Sequence, residues 1–265
     1  MTAWEVFAVK YADRNARTRR DSFLLADNHD QPHAMDYFIW VLRRNDEILL
    51  VDTGYDKEEG DRRGRPVRME PGEALAPLGI SPEDVSTVIV THLHYDHAGG
   101  LRHFPNATIH LQAAEMAYAT GPCMCHGTLQ APFTADHVCE AVQRLYSGKL
   151  VFHEGEGEVR EGVTVHRIGG HSRGLQAVRV LTEAGWMCLA SDAAHYYENF
   201  LESKAFPIVV DLQEMLDGFG TIRRLASSDK LVIPGHDPLV RTLFPSAGPD
   251  HIIRLDRGPL KAPDR

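Results

Sequence analysis

Apolar positions along the chain follow two rhythms. Short runs rich in β-branched and aromatic residues, alternating or continuous, occupy residues 5–11, 37–43, 47–52, 87–91 and 108–111. A second series occupies residues 150–153, 163–168, 176–182, 186–191 and 231–234. Each run is bounded by Gly, Pro, Asp or Asn, which interrupt extended pairing, so each is predicted to be a strand. A spacing of three to four marks residues 112–119, 135–146 and 212–226 as helices, with a shorter helix at 72–78. Strands come first as a hairpin series, then mix with helices, and then both repeat. That order suits an α/β sandwich of two mixed sheets packed face to face with helices outside, rather than a parallel βαβα winding.

Three stretches show neither rhythm: residues 13–33, 54–71 and 121–134. The second is dense in charge from Asp56 to Arg65 and is expected to be a solvated loop. The third holds Pro122, Pro132, Cys123 and Cys125, and is expected to fold over a pocket. No internal repeat, low-complexity tract or linker divides the chain, so a single domain over residues 1–265 is expected.

A hydrophobic content of 43% with 25% charged residues agrees with one large globular core. The net charge of −9, counting His as neutral, argues against nucleic acid as a partner, because phosphate binding needs a basic face. No run approaches the roughly 18 consecutive apolar residues of a membrane span. The first residues show no basic segment followed by an apolar one, so a cytoplasmic location without membrane contact is expected. Oligomeric state is not legible. Cys123-Met124-Cys125-His126 lacks two further ligands for a zinc knuckle, so these cysteines, with Cys139 and Cys188, are expected to be free thiols.

Histidine is the compositional outlier, with 15 residues. The segment Thr91-His92-Leu93-His94-Tyr95-Asp96-His97-Ala98-Gly99-Gly100 directly follows a predicted strand. On extended backbone, residues two apart share a face, so His92 and His94 can reach one metal together. A turn or helix start at Tyr95 and Asp96 then aims Asp96 and His97 at a second site. Imidazole and carboxylate are the donors that a catalytic Zn²⁺ accepts while keeping a position open for water. Burying such a cluster unpaired would cost several kcal/mol, of order 2–7 per group. Three more strand ends fit the plan: Gly170-His171, Ser191-Asp192 and Gly235-His236.

This series, HxHxDH followed by a Gly-His turn, a strand-end Asp and a second Gly-His turn, resembles the metallo-β-lactamase superfamily from about residue 37 to residue 236. The resemblance implies a four-layer αβ/βα sandwich with two Zn²⁺ ions per chain. His92, His94 and His171 would bind one ion, Asp96, His97 and His236 the other, and Asp192 would bridge them. Asp52, in Val51-Asp52-Thr53-Gly54, would brace the ligands from behind. Within the superfamily the chain is most similar to the N-acyl-homoserine lactonase branch, which is associated with quorum quenching. The length, the ten-residue motif and Ser191-Asp192-Ala193-Ala194 leading into Glu198-Asn199-Phe200 carry this likeness. Two places depart from it. His195 stands where such lactonases usually carry Tyr, with Tyr196 and Tyr197 next, and Ser172-Arg173-Gly174 replaces a Pro-Gly-His repeat.

The implied reaction is opening of a lactone by water activated between two ions about 3.5–4 Å apart. Asp96 would protonate the leaving oxygen and His195, or a neighbouring Tyr, would donate to the oxyanion. Tyr95, Arg173 and Tyr196 are the candidate substrate contacts, Arg173 as a carboxylate clamp or as a surface residue. Competing readings are a thioesterase of the glyoxalase II type, a cyclic-amide hydrolase, and a sulfur oxygenase with a single iron. A phosphodiesterase is disfavoured by the acidic charge, and a non-enzymatic metal protein by the completeness of the ligand set.

Overall fold

The continuous apolar runs near the start of the chain belong to strands buried on both faces. In the computed structural model, which describes residues 2–25 and 29–263, these are β1 (Glu5–Arg14), β2 (Met35–Arg44) and β3 (Glu47–Val51). Val6, Ala8, Phe38, Trp40 and Leu42 point into one core, whereas Phe7, Val9, Tyr37, Ile39 and Val41 point into another. Alternation is therefore present, but with apolar residues on both sides, as expected for a sheet covered on each face.

With β4 (Thr87–Ile89), β5 (Thr108–Gln112), β6 (Leu150–His153), β7 (Glu156–Arg160), β8 (Val163–Arg167), β9 (Gln176–Thr182), β10 (Gly185–Ser191), β11 (Val232–Pro234) and β12 (Ile252–Arg254), these strands form two sheets. The seven-stranded sheet runs β12-β1-β2-β3-β4-β5-β6 and the five-stranded sheet β11-β10-β9-β8-β7. Both are mixed: β3 to β6 are parallel neighbours, β10 and β11 are parallel, and the other pairs are antiparallel. Residues from the two sheets, with Met215, Phe219 and Ile222 of helix Leu212–Leu225, share one apolar core. The opposite face of the larger sheet is covered by a second core that includes Val138 and Ala141 of helix Ala135–Tyr146. This is the two-sheet sandwich that the strand order predicts.

Every expected strand is present, and β7 and β12 add to them. The largest departure is the charge-dense stretch. Residues Lys57–Arg63 form a helix, begun where Asp56 accepts a hydrogen bond from the Glu59 N–H and ended at Gly64 with φ 63°. Glu59 is buried there among Arg62, Arg63 and Thr134, so charge pairing holds this segment where a solvated loop was expected. In the 13–33 stretch, residues 26–28 lie outside the described residues; the rest includes a 3₁₀ turn at Arg19–Asp21. The 121–134 stretch contains short turns of helix at Pro122–Cys125 and Gly127–Gln130. Its cysteines, like Cys139 and Cys188, are free. Among the described residues no helix is long and apolar enough to cross a membrane.

Candidate metal centre

The functional side chains leave the C-terminal ends of strands that face one edge of the sandwich. Asp52 follows β3, His92 and His94 follow β4, His171 follows β8, Asp192 follows β10 and His236 follows β11. Asp96 and His97 sit on the one-turn helix Tyr95–Ala98 that begins directly after His94. Asp52 and Ser191 hold left-handed backbone, φ 62° and 47°, which is uncommon outside glycine and costs of order 1–3 kcal/mol. Both lie where a strand must turn sharply to present a carboxylate. Gly170 is also left-handed, and a Cβ there would collide with the backbone of Met215. A Cβ on Gly235 would lie 2.7 Å from Asp192 Oδ1, so only glycine lets that loop pass beside the carboxylate.

The seven predicted ligands converge. His92, His94 and His171 form one cluster of donor atoms within 4.8 Å of one another, and Asp96, His97 and His236 form another. Asp192 lies between them. Its Oδ1 is 3.0 Å from His236 Nε2 and 3.3 Å from His97 Nε2, while its Oδ2 is 3.3 Å from His171 Nε2 and 3.9 Å from His92 Nε2. The far nitrogens are engaged by the fold. His97 Nδ1 meets Asp52 Oδ2 at 2.7 Å, His171 Nδ1 the Ile208 carbonyl at 2.7 Å, His236 Nδ1 the Asp36 carbonyl at 2.9 Å and His92 Nδ1 the Thr91 hydroxyl at 3.1 Å. Such outer contacts fix which nitrogen faces the ion. Asp52 is itself held by the Thr91 N–H at 2.7 Å and the Thr91 hydroxyl at 2.8 Å.

Two observations show that this donor set fits metal ions. His92 Nε2, His97 Nε2 and Asp192 Oδ1 are buried and close together yet make no well-aligned hydrogen bond, an arrangement costly in a core unless a cation supplies the missing contact. Asp52, Asp96 and Asp192 also make no ion pair with Lys or Arg among the described residues; the groups within ion-pair distance of them are imidazoles. Burial drives His92 and His94 well below the usual imidazole range, which keeps them in the neutral, ligating form. Burial alone would raise Asp192, but His236 and His97 beside it hold its carboxyl well below the usual range.

The other predicted residues divide. Tyr95 lines a cavity of about 60 Å³ together with His94, Asp96, Asp192 and His236. Burial, with Asp96 nearby, holds its hydroxyl well above the usual phenol value; the hydroxyl accepts from Arg65 and lies 3.4 Å from Tyr37 Oη. His195 lines the same cavity, but its Nε2 sits 2.9 Å from Asp192 Oδ2 and its ring stacks on Phe206 at 3.9 Å. Burial lowers this imidazole to about 4, so it is neutral and donates to the carboxylate. Tyr196 does not reach the cavity: it is buried with its hydroxyl on the Ala34 carbonyl at 3.2 Å. Tyr197 is buried in the inter-sheet core. Arg173 is exposed and lines neither this cavity nor the adjoining one, because its turn points outward and its carbonyl accepts from Arg167.

Sequence reasoning missed four groups. Arg14, Arg17 and Arg65 line the cavity, and Arg65 also lines an adjoining cavity of about 290 Å³ walled by Leu129, Ile208, Val209 and Val210. Glu115, fully buried, accepts from the Leu93 N–H at 3.0 Å, the Ser172 hydroxyl at 2.6 Å and the Gly174 N–H at 2.9 Å, tying two ligand loops together. The only hint in the sequence was a charged residue on the inward face of a predicted helix.

Comparison with known proteins agrees with this geometry. A 26% identical relative, a probable metallo-hydrolase of Mycobacterium tuberculosis, aligns over 239 residues, 76% of this chain and 74% of that one. An N-acyl homoserine lactonase of Bacillus thuringiensis is 29% identical over 214 residues, 75% of this chain and 80% of its own. A solved N-acyl homoserine lactone hydrolase, with N-hexanoyl-L-homoserine at its catalytic metal centre, superposes with a TM-score of 0.73. That match has 22% identity and covers 90% of this chain and 95% of the other. AidC, a dizinc quorum-quenching lactonase, gives a TM-score of 0.70 at 18% identity, covering 90% of each chain. These structural likenesses show the shared fold. Residues 35–241 match the metallo-beta-lactamase superfamily, and with its HxHxDH cluster at the sheet edge the chain belongs to that superfamily, with similarity to its N-acyl homoserine lactonases.

Proposed function

We propose that the chain is a dinuclear metal-dependent hydrolase that opens a small lactone, an N-acyl-homoserine lactone or a close chemical relative. His92, His94 and His171 hold one ion, Asp96, His97 and His236 hold the second, and Asp192 reaches both. The observation that carries this reading is Asp192, whose two oxygens turn to two separate imidazole groups. A carboxylate between two donor groups suits two ions; a single iron would need only two His and one carboxylate and would leave the Asp96, His97 and His236 group without a role, which disfavours a mononuclear iron oxygenase. The substrate class is supported by the lactonase relatives.

Two bound ions, Zn²⁺ by the donor set, would supply Lewis acidity for the carbonyl and a water whose pKa falls to about 7. The chain's own residues do the rest. Asp96 lines the cavity with a side chain 12% exposed, the most accessible of the clustered carboxylates. It takes the proton of the attacking water and returns it to the ring oxygen as the acyl C–O bond breaks. One water thus ends as the acid hydroxyl and the alcohol hydrogen, and the new acid ionises. His195 is a positioning residue, since its N–H is committed to Asp192. Tyr196 and Tyr197 are buried away from the cavity and cannot supply the missing donor. Tyr95 takes the donor role: it lines the cavity and its oxygen accepts from Arg65, so its own proton turns either to the Tyr37 hydroxyl at 3.4 Å or to the substrate.

The test combines metal analysis with a panel of lactones, thioesters and cyclic amides followed by proton release in weak buffer. The expected result is two ions per chain and lactone opening. Asp192→Ala should lose both metal and activity more completely than His171→Ala or His236→Ala. A single iron with no second site, or brisk thioester or amide cleavage beside inert lactones, would overturn the proposal.

A further inference from the structure

Several arginines elsewhere in the molecule are matched by carboxylates: Arg19 pairs with Glu198, Arg102 with Asp56, Arg241 with Asp36 and Arg254 with Asp256. The three that line the metal-site cavity are not. Arg17 is only 8% exposed, yet no carboxylate lies within ion-pair distance of it among the described residues. Its Nη2 donates to the Asp21 carbonyl at 2.7 Å and the Ser22 hydroxyl at 3.3 Å, and its Nη1 lies 3.3 Å from Met35 Sδ. Its Nε is buried with no partner at all. Arg65 donates to the Tyr95 hydroxyl and lies over that ring, with Asp96 acting on it only from beyond ion-pair distance, and the Arg14 side chain makes no hydrogen bond or ion pair among the described residues. Of the acidic groups in the same wall, Asp96 and Asp192 belong to the ligand clusters, and Asp21 is exposed with its carboxylate accepting from the Thr18 N–H at 3.0 Å.

A buried guanidinium without a counter-ion is costly, whereas its fork of donors matches two oxygens of a carboxylate or a phosphate closely. We infer that the substrate carries an anionic oxygen group, carboxylate or phosphate, beside the scissile lactone carbonyl, and that Arg17, aided by Arg14 and Arg65, receives it. This rests on the lactone-opening reading and departs from it in one respect, selecting anionic small lactones over neutral N-acyl-homoserine lactones. The adjoining 290 Å³ cavity, which shares Arg65, takes the apolar remainder of the substrate.

The experiment uses metal-loaded full-length protein and three matched probes: γ-butyrolactone bearing a ring carboxylate, its neutral methylamide, and the analogue bearing a phosphate. The carboxylate or phosphate form should be opened with a kcat/KM about 10²-fold above the methylamide, the scale of a charge-assisted bidentate contact. Whichever anion leads identifies the group. In Arg17→Gln, and separately in Arg14→Gln, that ratio should fall at least about tenfold, because the ratio cancels any general loss of activity. Succinate binding by calorimetry to wild-type and Arg17→Gln protein serves as a readout independent of turnover. Preference for the methylamide, or a ratio unchanged in both variants, overturns the anion site while leaving the hydrolase intact. No lactone opening combined with succinate binding that needs Arg17 keeps the anion site and removes the lactonase reading. No lactone opening and no Arg17-dependent binding removes both.

Discussion

Glu115 shows how much one side chain can organise. Its carboxylate gathers the Leu93 N–H between two proposed ligand histidines with the Ser172 hydroxyl and the Gly174 N–H just after a third. Burial raises its pKa, yet three donors surround it, so it acts as a clamp between the two sheets. A Cβ on Gly174 would strike the backbone of Glu115, which shows how closely the loops meet. In Glu115→Ala these donors lose their acceptor in the interior, at about 1–3 kcal/mol for each group left unsatisfied. Denaturant unfolding of metal-free protein should register a loss of that order. Zinc affinity, measured by chelator competition, should weaken about 10–100-fold, as for removal of other outer partners of metal ligands. Unchanged zinc affinity would limit Glu115 to packing.

At the level of elements, pairing depends on which groups face each other. His110 on β5 and His153 on β6 stack with ring centroids 5.2 Å apart and nitrogens 2.9 Å apart. Burial, with His153 beside it, lowers His110 to about 4, and burial lowers His153 too. In the unfolded chain each imidazole titrates near about 6.5. Between that value and about 4 the unfolded state therefore binds protons that the native state refuses, and stability falls as pH falls across this window. Urea midpoints of metal-free wild type and His110→Phe at pH 7 and pH 5 test this. The wild type should lose more stability than the variant on acidification; equal losses would mean that the pair does not matter. Two of the elements that escaped sequence reading share a cause, whereas β12 is apolar but only three residues long. Helix Lys57–Arg63 and strand β7 carry little apolar rhythm, with Val159 as the one buried hydrophobic of β7, and are held by ion pairs or edge pairing instead.

On the scale of the whole molecule, the clustered donor residues come from both sheets. His92, His94, Asp96 and His97 follow the seven-stranded sheet, whereas His171, Asp192 and His236 follow the five-stranded one. Metal binding would thus cross-link the two halves of the sandwich across their shared edge. A ligand that binds only the native state adds RT ln(1 + [L]/Kd), about 4 kcal/mol at a thousandfold excess over Kd. Chelation should therefore lower Tm, and titrating Zn²⁺ back should raise it progressively in calorimetry. A Tm indifferent to metal would mean that the edge is rigid without ions.

The division of information follows the range of the forces. Local patterns decided the strands, the principal helices and the ligand loops, because burial on one or both faces imposes a periodicity, and because the HxHxDH spacing brings its own donors together within one turn. His171, Asp192 and His236 were legible as strand-end residues by their resemblance to a known series. Only the folded chain decided that His195 turns onto Asp192 and that Tyr196 turns into the core, since a loop can rotate a side chain by one residue without altering the pattern. Only the folded chain brought Arg14, Arg17 and Arg65 to the cavity, from two segments whose charge reads as solvent-facing until their partners are known. Charged side chains carry no periodic signature; what they do depends on which opposite charges tertiary packing leaves within reach.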